Sequence, residues 1–399
     1  MCVESLKGTV SHNDLASKIH EETGTAASRQ AYWERTDEPC VKFFQAVLEI
    51  VMLSKLDDNA VEPLRRCGKY KRILVQDSTV IQLPLKLFEV FSGVRNAHVA
   101  RCNARIQGIY DLASGRFIKF SIDSYSANDI SVALDIPVEE GDLVLRDRGY
   151  FKVDVVGEMK GKGADSISRY KHGTTFYHPE TKEKIELLNL LTLCGSVDME
   201  VFAGADKNLK VRLLAVPVDE ETANLRRMKT KKEMKGHAPT KELLDLMSWT
   251  IFVVTIKDKS ITFKEIFRLY KLRWRIENII KTWKSEFCFD KLHNVSEHQL
   301  RTLITARLIM ITICYHHVYL PACEVVKRRC GKRVSLMKLM HYIRKYIDNL
   351  SDIFNFRCWS VKRVQGIAKY CTYEKRKRAD FESEFDSIIM DINDIHCLT

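Results

Sequence analysis

Three acids and a short row of basic and aromatic residues could carry chemistry in this sequence. Glu277 lies in Tyr270-Lys-Leu-Arg273-Trp-Arg-Ile-Glu277-Asn-Ile-Ile-Lys-Thr-Trp-Lys284, a stretch without Pro or Gly. Such a stretch reads as helix. At ~100° per residue, Tyr270, Arg273, Glu277 and Lys284 fall within a stripe roughly 60° wide. Leu269, Leu272, Ile276, Ile280, Trp283 and Phe287 form an adjacent apolar stripe. One side therefore faces a core, with a Tyr/Arg/Glu/Lys row along its edge. A carboxylate there can bind a metal, and the phenol and cations can hold a polyanion against it. A solvated face with ordinary i,i+3 and i,i+4 pairs has the same spacing.

The other two acids sit in strand-like runs. Asp77 lies within Ile73-Leu-Val-Gln-Asp77-Ser-Thr-Val-Ile-Gln-Leu-Pro84, which is rich in β-branched residues. An Asp inside such a strand needs a partner or a job, unless it faces water at an edge. Asp147 ends the buried-looking strand of Leu143-Val-Leu-Arg-Asp147-Arg-Gly-Tyr-Phe151. Gly149 suits a sharp exit from the sheet. In a parallel α/β arrangement the carboxyl ends of strands are where ligands bind.

The elements that must position these residues follow in order. Residues 11–36 predict two short helices, with Ser11 and Asp14 as a capping pair, Gly24 as a stop and Ser28 as a second start. This is the outline of a helix-turn-helix presenting Arg29, Gln30 and Arg35, although plain helical packing looks the same. A helix over Val41–Lys55 has Phe43, Phe44, Val47, Leu48 and Val51 as its apolar face. Ala104–Tyr110 and Phe117–Ile122 predict a hairpin across Ala113-Ser-Gly-Arg116. Asn128–Leu134 predicts a short helix and Val153–Lys160 another. Ser166–Lys171 is a short strand carrying Arg169 and Lys171.

From about residue 174 to 256 the alternation of strand and helix stops. Thr175–His178, Lys184–Leu191, Val197–Phe202, Lys210–Pro217 and Trp249–Ile256 predict strands of an inserted, largely β subdomain. Leu225–Lys235, dense in Arg and Lys, reads as a solvated loop or a phosphate-binding arm. Leu300–Tyr319 is a helix. The basic tail from Val325 is helical, with Lys375-Arg-Lys-Arg378 as a charged cluster.

The whole composition limits the class. A chain of 399 residues can bury a real core and hold two or three domains. A formal net charge of +12 and a pI of about 9.0 favour a polyanionic partner. The 12 cysteines include no C-x-x-C pair, which disfavours a zinc site or a disulfide scaffold and fits a reducing cytosol. The first residues lack a signal-peptide core. The run Leu303–Leu320 is interrupted by Thr305, Arg307, His316 and His317, so it predicts a buried helix rather than a membrane span.

The spacing Y-x2-R-x3-E-x6-K resembles the third catalytic segment of DDE transposases of the insertion-sequence-four type. Gln76-Asp77-Ser-Thr, Asp147-Arg-Gly-Tyr-Phe and the interposed β insertion extend the resemblance over roughly residues 70–290. The order strand, hairpin, helix, strand, helix, strand and late helix is that of the ribonuclease-H-like fold. The implied architecture is an α/β, ribonuclease-H-like catalytic core with a mixed sheet flanked by helices. The β insertion interrupts it, and helical regions stand at both termini. The expected divisions are a helical region 1–68, a core over 69–173 and 257–320, an insertion over 174–256 and a basic helical region 321–399.

The resemblance implies Asp77, Asp147 and Glu277 as ligands of two Mg²⁺ ions, with Mn²⁺ as a substitute. It implies Tyr270, Arg273 and Lys284 as contacts to DNA phosphates. Arg169 and Lys171 join them as DNA-binding candidates, and Trp249 as the ring against a flipped base. A buried strand aromatic is the other reading of Trp249. The implied activity is cut-and-paste transposition through a DNA hairpin. It acts on double-stranded element ends and target DNA, as a homodimer at the nucleoid in bacterial cytoplasm, with no membrane. A nuclease of the same fold without strand transfer would use the same acids. A non-catalytic DNA-binding descendant would not need them.

Overall fold

The structure is a computed structural model. It describes residues 1–6, 8, 11–54, 70–92, 101–125, 136–206, 208–234, 237–292, 294–346, 359–374 and 381–397. The expected Asn128–Leu134 helix and the Lys375–Arg378 cluster lie outside the described residues.

In chain order the first helices are α1 (Cys2–Ser5), α2 (His12–Thr23), α3 (Arg29–Glu34) and α4 (Glu38–Leu53). Strands β1 (Arg72–Leu83), β2 (Cys102–Asp111), β3 (Arg116–Ser124) and β4 (Asp142–Arg146) follow. Next come α5 (Val153–Gly161), β5 (Asp165–Arg169), β6 (Phe176–Tyr177), β7 (Lys184–Ile185), α6 (Leu187–Cys194), β8 (Val197–Ala203) and β9 (Leu209–Pro217). After these are α7 (Glu220–Glu233), α8 (Lys241–Leu246), β10 (Trp249–Val254), α9 (Phe263–Lys271), α10 (Trp274–Glu286) and α11 (Glu297–Ile313). A π-helical turn (Cys314–Tyr319) leads into α12 (Leu320–Cys330), α13 (Leu336–Tyr346), α14 (Val361–Tyr370) and α15 (Phe381–Cys397). This is the mixed α/β class, with strands and flanking helices. The chain forms two compact units: Met1–Arg65, Asp77–Ala127 and Trp274–Asp380 in the first, and Arg66–Gln76, Asn128–Arg273 and Phe381–Thr399 in the second.

In the first unit the local signals in the sequence become real caps. The Asp14 N–H donates to Ser11 Oγ and the Ser11 N–H donates back to the Asp14 carboxylate. Gly24 ends α2 at φ 69°, and Ser28 caps α3 by accepting from the Ala31 N–H. Helix α4 begins at Glu38, where Asp37 accepts from the Cys40 N–H. Its expected apolar face needs correction. Val41 and Leu48 are buried, whereas Phe43 is 62% exposed. The helix rests on α11 along the Val41/Leu48 line. Phe43, two residues past Val41, is turned ~200° from that line.

Strands of this unit run in the order β3-β2-β1, with β2 and β3 an antiparallel hairpin. Buried Asp111 closes the hairpin by accepting from the N–H groups of Ala113 and Ser114. The long helix of α11, the π turn and α12 is apolar enough to cross a membrane by length and composition, yet 89% of its most apolar window is buried in the fold. Arg307 explains how a cation tolerates that burial. Its guanidinium donates to the carbonyls of Ser5, Gly8, Phe289 and Lys291 at 2.8–3.1 Å. His316, in the π turn, accepts from the Phe117 N–H, and burial pushes its pKa down to about 3. Arg275 donates to the hydroxyls of Tyr315 and Tyr319.

In the second unit the strand order is β1-β4-β5-β10-β9-β8-β6-β7. Arg72–Val75 of β1 runs parallel to β4, and β4 parallel to β5. Leu143, Val144 and Leu145 are fully buried, as expected of a parallel strand covered on both faces. Pairings from β5 through β10, β9, β8, β6 and β7 are antiparallel.

Two expectations for the insertion change. Lys184–Leu191 is strand only at Lys184–Ile185 and then turns into α6, which buries Leu187 and Leu191 one turn apart. A short leucine-rich run has no period long enough to separate the two forms. Of the basic stretch Leu225–Lys235, residues up to Glu233 are no loop: they belong to α7, capped by Asp219 accepting from the Thr222 N–H. Arg226 and Arg227 in it bond the carbonyls of Trp249 and Leu244. Helix α15 packs on α9, where Arg268 pairs with Asp391 and bonds Ser387.

The expected single helix over Tyr270–Lys284 is two helices. At Leu272 and Arg273 the N–H groups bond three residues back, to Leu269 and Tyr270. This tighter turn ends α9 before α10 starts, and the boundary between the units falls there.

Candidate active site

Asp147 follows the last residue of β4 and opens the short turn Arg148–Tyr150. Fully buried Arg146 ties that turn to the strand by donating to the Tyr150 carbonyl at 3.1 Å. Burial pulls the Arg146 pKa down to about 10. Tyr270, on α9, donates its hydroxyl to Asp147 Oδ1 at 3.2 Å. Arg273 Nη2 lies 3.9 Å from the same oxygen, and its guanidinium stands over the Tyr270 ring at 5.7 Å. The Tyr270 ring in turn packs on Phe252 of β10, 5.0 Å between centroids.

Tyr270 and Arg273 are therefore buried behind the carboxylate, not set along an exposed edge. The Asp147 side chain stays 48% exposed against 8% for Arg273, so a ligand can still reach it. Burial and then the charge of Asp147 push the Tyr270 hydroxyl above its ordinary pKa. It stays protonated and keeps donating.

A pocket in the same unit is lined by Arg148, Arg169, Tyr170, His172, Arg226 and Trp249 over an apolar floor that includes Leu246 and Ile251. Arg169, at the end of β5, lies over the Phe252 ring at 5.5 Å. Burial lowers the pKa of both Arg169 and Arg226. Arg226 also donates to the Trp249 carbonyl and Thr250 Oγ1, each at 3.0 Å. The Trp249 indole N–H donates to the Gly195 carbonyl at 2.8 Å, and its ring packs on the insertion core. Trp249 is thus both a core-anchored ring and a pocket wall. Lys171 lies two residues past β5, half-buried and outside this lining.

Arg148 is a pocket residue that sequence reasoning missed, although it directly follows Asp147. Arg226 belongs to the basic stretch read as a solvated loop or a phosphate-binding arm, and it is helical instead, in a helix capped by Asp219.

In the first unit, Asp77 is half-buried in β1, and its Oδ1 accepts from the Ser78 N–H at 2.9 Å. Glu277 is half-buried in the first turn of α10, where the helix dipole favours a carboxylate. Lys284 donates to the Val80 carbonyl at 3.0 Å and so joins α10 to β1.

Three carboxylates are the oxygen donors that a hard divalent cation takes. Asp77 and Glu277 belong to the first unit and Asp147 to the second. Among the described residues no group of three or more His, Cys, Asp or Glu is arranged to hold a metal ion. The donor chemistry therefore fits, whereas a ready-made cage is not present among those residues.

Comparison with known proteins adds the following. Residues 69–313 match the family described as Transposase DDE domain. The chain is 27% identical, over 91% of its length and 82% of the relative's, to a transposase for insertion sequence element IS231D of Bacillus thuringiensis subsp. finitimus. It is 28% identical, over 88% and 78% respectively, to the IS231E transposase of the same organism. The IS1151 transposase of Clostridium perfringens is 25% identical, over 86% and 77%. Among solved structures, the piggyBac transposase synaptic complex with hairpin DNA aligns with 95% of this chain and 86% of that one, at 10% identity and a TM-score of 0.43.

Proposed function

Because the chain belongs to the transposase DDE family, as its match over more than half its length shows, we propose that it cuts the ends of a bacterial insertion sequence and joins them to target DNA. The observation that carries this reading is that the family match contains Asp77, Asp147 and Glu277 together. These three would hold divalent cations, Mg²⁺ or Mn²⁺ in its place, whose chemistry when bound would be to activate a water or 3′-hydroxyl and to stabilise the leaving oxygen.

The residues around Asp147 orient it. Tyr270 and Arg273 fix one carboxylate oxygen from behind, which leaves the exposed side for ligands. Positioning partners of this kind hold a ligating carboxylate in the productive geometry. Arg148 and Arg169 bind DNA phosphate, with Lys171 at the periphery, while Arg226 holds the pocket wall through the Trp249 carbonyl and Thr250 Oγ1. Arg suits this work because its planar fork matches phosphate oxygens and its charge persists despite burial. Trp249 offers its ring to an extruded base beside those arginines, a stacking surface that any base can use. This supports a hairpin step, in which one strand end must bend sharply. Lys284 holds the helix of Glu277 against the strand of Asp77. DNA in the cytoplasm, bound by a homodimer, is the partner this reading takes.

The test uses Asp77→Asn, Asp147→Asn and Glu277→Gln. Each keeps size and removes a charge. Nicking of a DNA end in Mg²⁺ should fall to background in each, while gel-shift affinity for that end stays largely intact. Full nicking by the Glu277→Gln protein would remove Glu277 from the site. Cleavage without joining by the wild-type protein would favour a nuclease of the same fold.

A further inference from the structure

Helices α13 and α14 of the first unit frame a groove that the cleavage chemistry does not use. It is lined by Met337, Lys338, Tyr342, Lys345, Tyr346 and Tyr370, over buried Cys371. We propose that this groove binds a single-stranded segment of DNA, stacking its bases on Tyr346 and Tyr370 and holding its phosphates with the neighbouring lysines.

The rings are the first argument. Tyr346 is 52% exposed, Tyr370 62% and Met337 48%. Large apolar groups grouped at a surface mark binding sites more often than rings scattered singly. Tyr342 and Tyr346 lie one turn apart on α13 with centroids 4.7 Å apart. They form a continuous aromatic wall that is open to solvent on the Tyr346 side.

Charge is the second. Residues 331–346 and 359–374 together hold eight Lys or Arg and one acid, Glu374. Lys345 stands over the Tyr346 ring at 5.7 Å and Lys369 over the Tyr370 ring at 5.2 Å. Each ring thus has an ammonium beside its face, the pairing a nucleotide needs for its base and its phosphate. One carboxylate, Glu286, lines the groove, and it is engaged by His341 at 3.0 Å and Arg344 at 3.7 Å. Glu374 pairs with the lining residue Lys338 at 3.2 Å. The remaining field is positive.

Shape is the third. The groove is an open cleft of about 670 Å³, inside the ~300–1,000 Å³ span of ligand clefts, so its rings and ammoniums rather than its volume select the ligand. Duplex DNA keeps its base faces stacked inside and would leave the tyrosines without a partner. Only unpaired bases use both halves of this surface.

The experiment measures binding of the full chain to a fluorescent oligothymidine of about 15 nucleotides, within the site sizes of single-strand platforms. A duplex of the same length serves as competitor. Tyr346→Ala with Tyr370→Ala should weaken single-strand binding roughly tenfold per ring and leave duplex binding within about twofold. Tyr346→Phe with Tyr370→Phe should restore it, because stacking needs the ring and not the hydroxyl.

Photo-crosslinking of the wild-type protein to bromodeoxyuridine-substituted strand should map to these helices, which guards against a variant that folds badly. Single-strand affinity unchanged in the alanine variant would overturn the proposal. So would equal losses for single strand and duplex, or crosslinks found only elsewhere. None of these outcomes touches the assignment of the acids, since nicking of an intact end is read separately.

Discussion

Arg307 in the first unit and Arg169 in the second are arginines at opposite ends of one choice. Arg307 is fully buried and directs its guanidinium at four backbone carbonyls from two stretches of chain. Arg169 is half-buried, rests its plane on Phe252 and lines a pocket with two further arginines. Burial lowers both pKa values, in Arg307 to about 10, and both remain charged at neutral pH. The lesson is that burial of a cation says little by itself. Where its donors point separates a cation that holds the fold from one that waits for an anion.

The largest effect should come from Arg307→Met. Four carbonyls lose their donor inside the fold, so stability should drop by roughly 3–5 kcal/mol in a urea titration. A drop under ~1 kcal/mol would erase the distinction between the two sites.

Arg169→Gln should do the opposite. Unfolding should move by less than about 1 kcal/mol, while the log–log salt slope of duplex DNA binding should shrink by about 0.9 for the one phosphate no longer neutralised. An unchanged slope would return Arg169 to the class of structural cations.

The smallest effect sharpens the comparison for rings. Trp249→Phe removes the N–H bond to the Gly195 carbonyl and keeps an aromatic face. Stability should fall by about 1 kcal/mol with hairpin yield preserved. A reduced hairpin yield at unchanged nicking would show that the indole's full area is needed.

How far the sequence could be read follows the range of the forces involved. Caps at Ser11, Ser28 and Ser296 were or could be seen because three residues suffice to make them. Strand β1 around Asp77 and the hairpin of β2 and β3 were legible from β-branched runs and turn residues. The break at Leu272–Arg273 was not, since no Gly or Pro marks it and the change from four-back to three-back bonding is set by packing. Helix α7 was hidden by its own charge: Arg226 and Arg227 look solvated in sequence and are spent on carbonyls more than 15 residues away. The burial of Tyr270 and Arg273 behind Asp147 was beyond reach for the same reason. A helical wheel finds a stripe but not the depth at which it lies.

The clasp at Arg307 also has a consequence in time. Its two partners near the amino terminus, Ser5 and Gly8, precede it by 302 and 299 residues. At ~5–20 residues per second, a ribosome takes roughly 15–60 s to cover that interval. Until then the Ser5 and Gly8 carbonyls have emerged without the guanidinium that donates to them. Contacts of such long separation also slow folding after release. Ser5 and Gly8 are therefore late to be held in this fold, because the contact that fixes their carbonyls waits for Arg307.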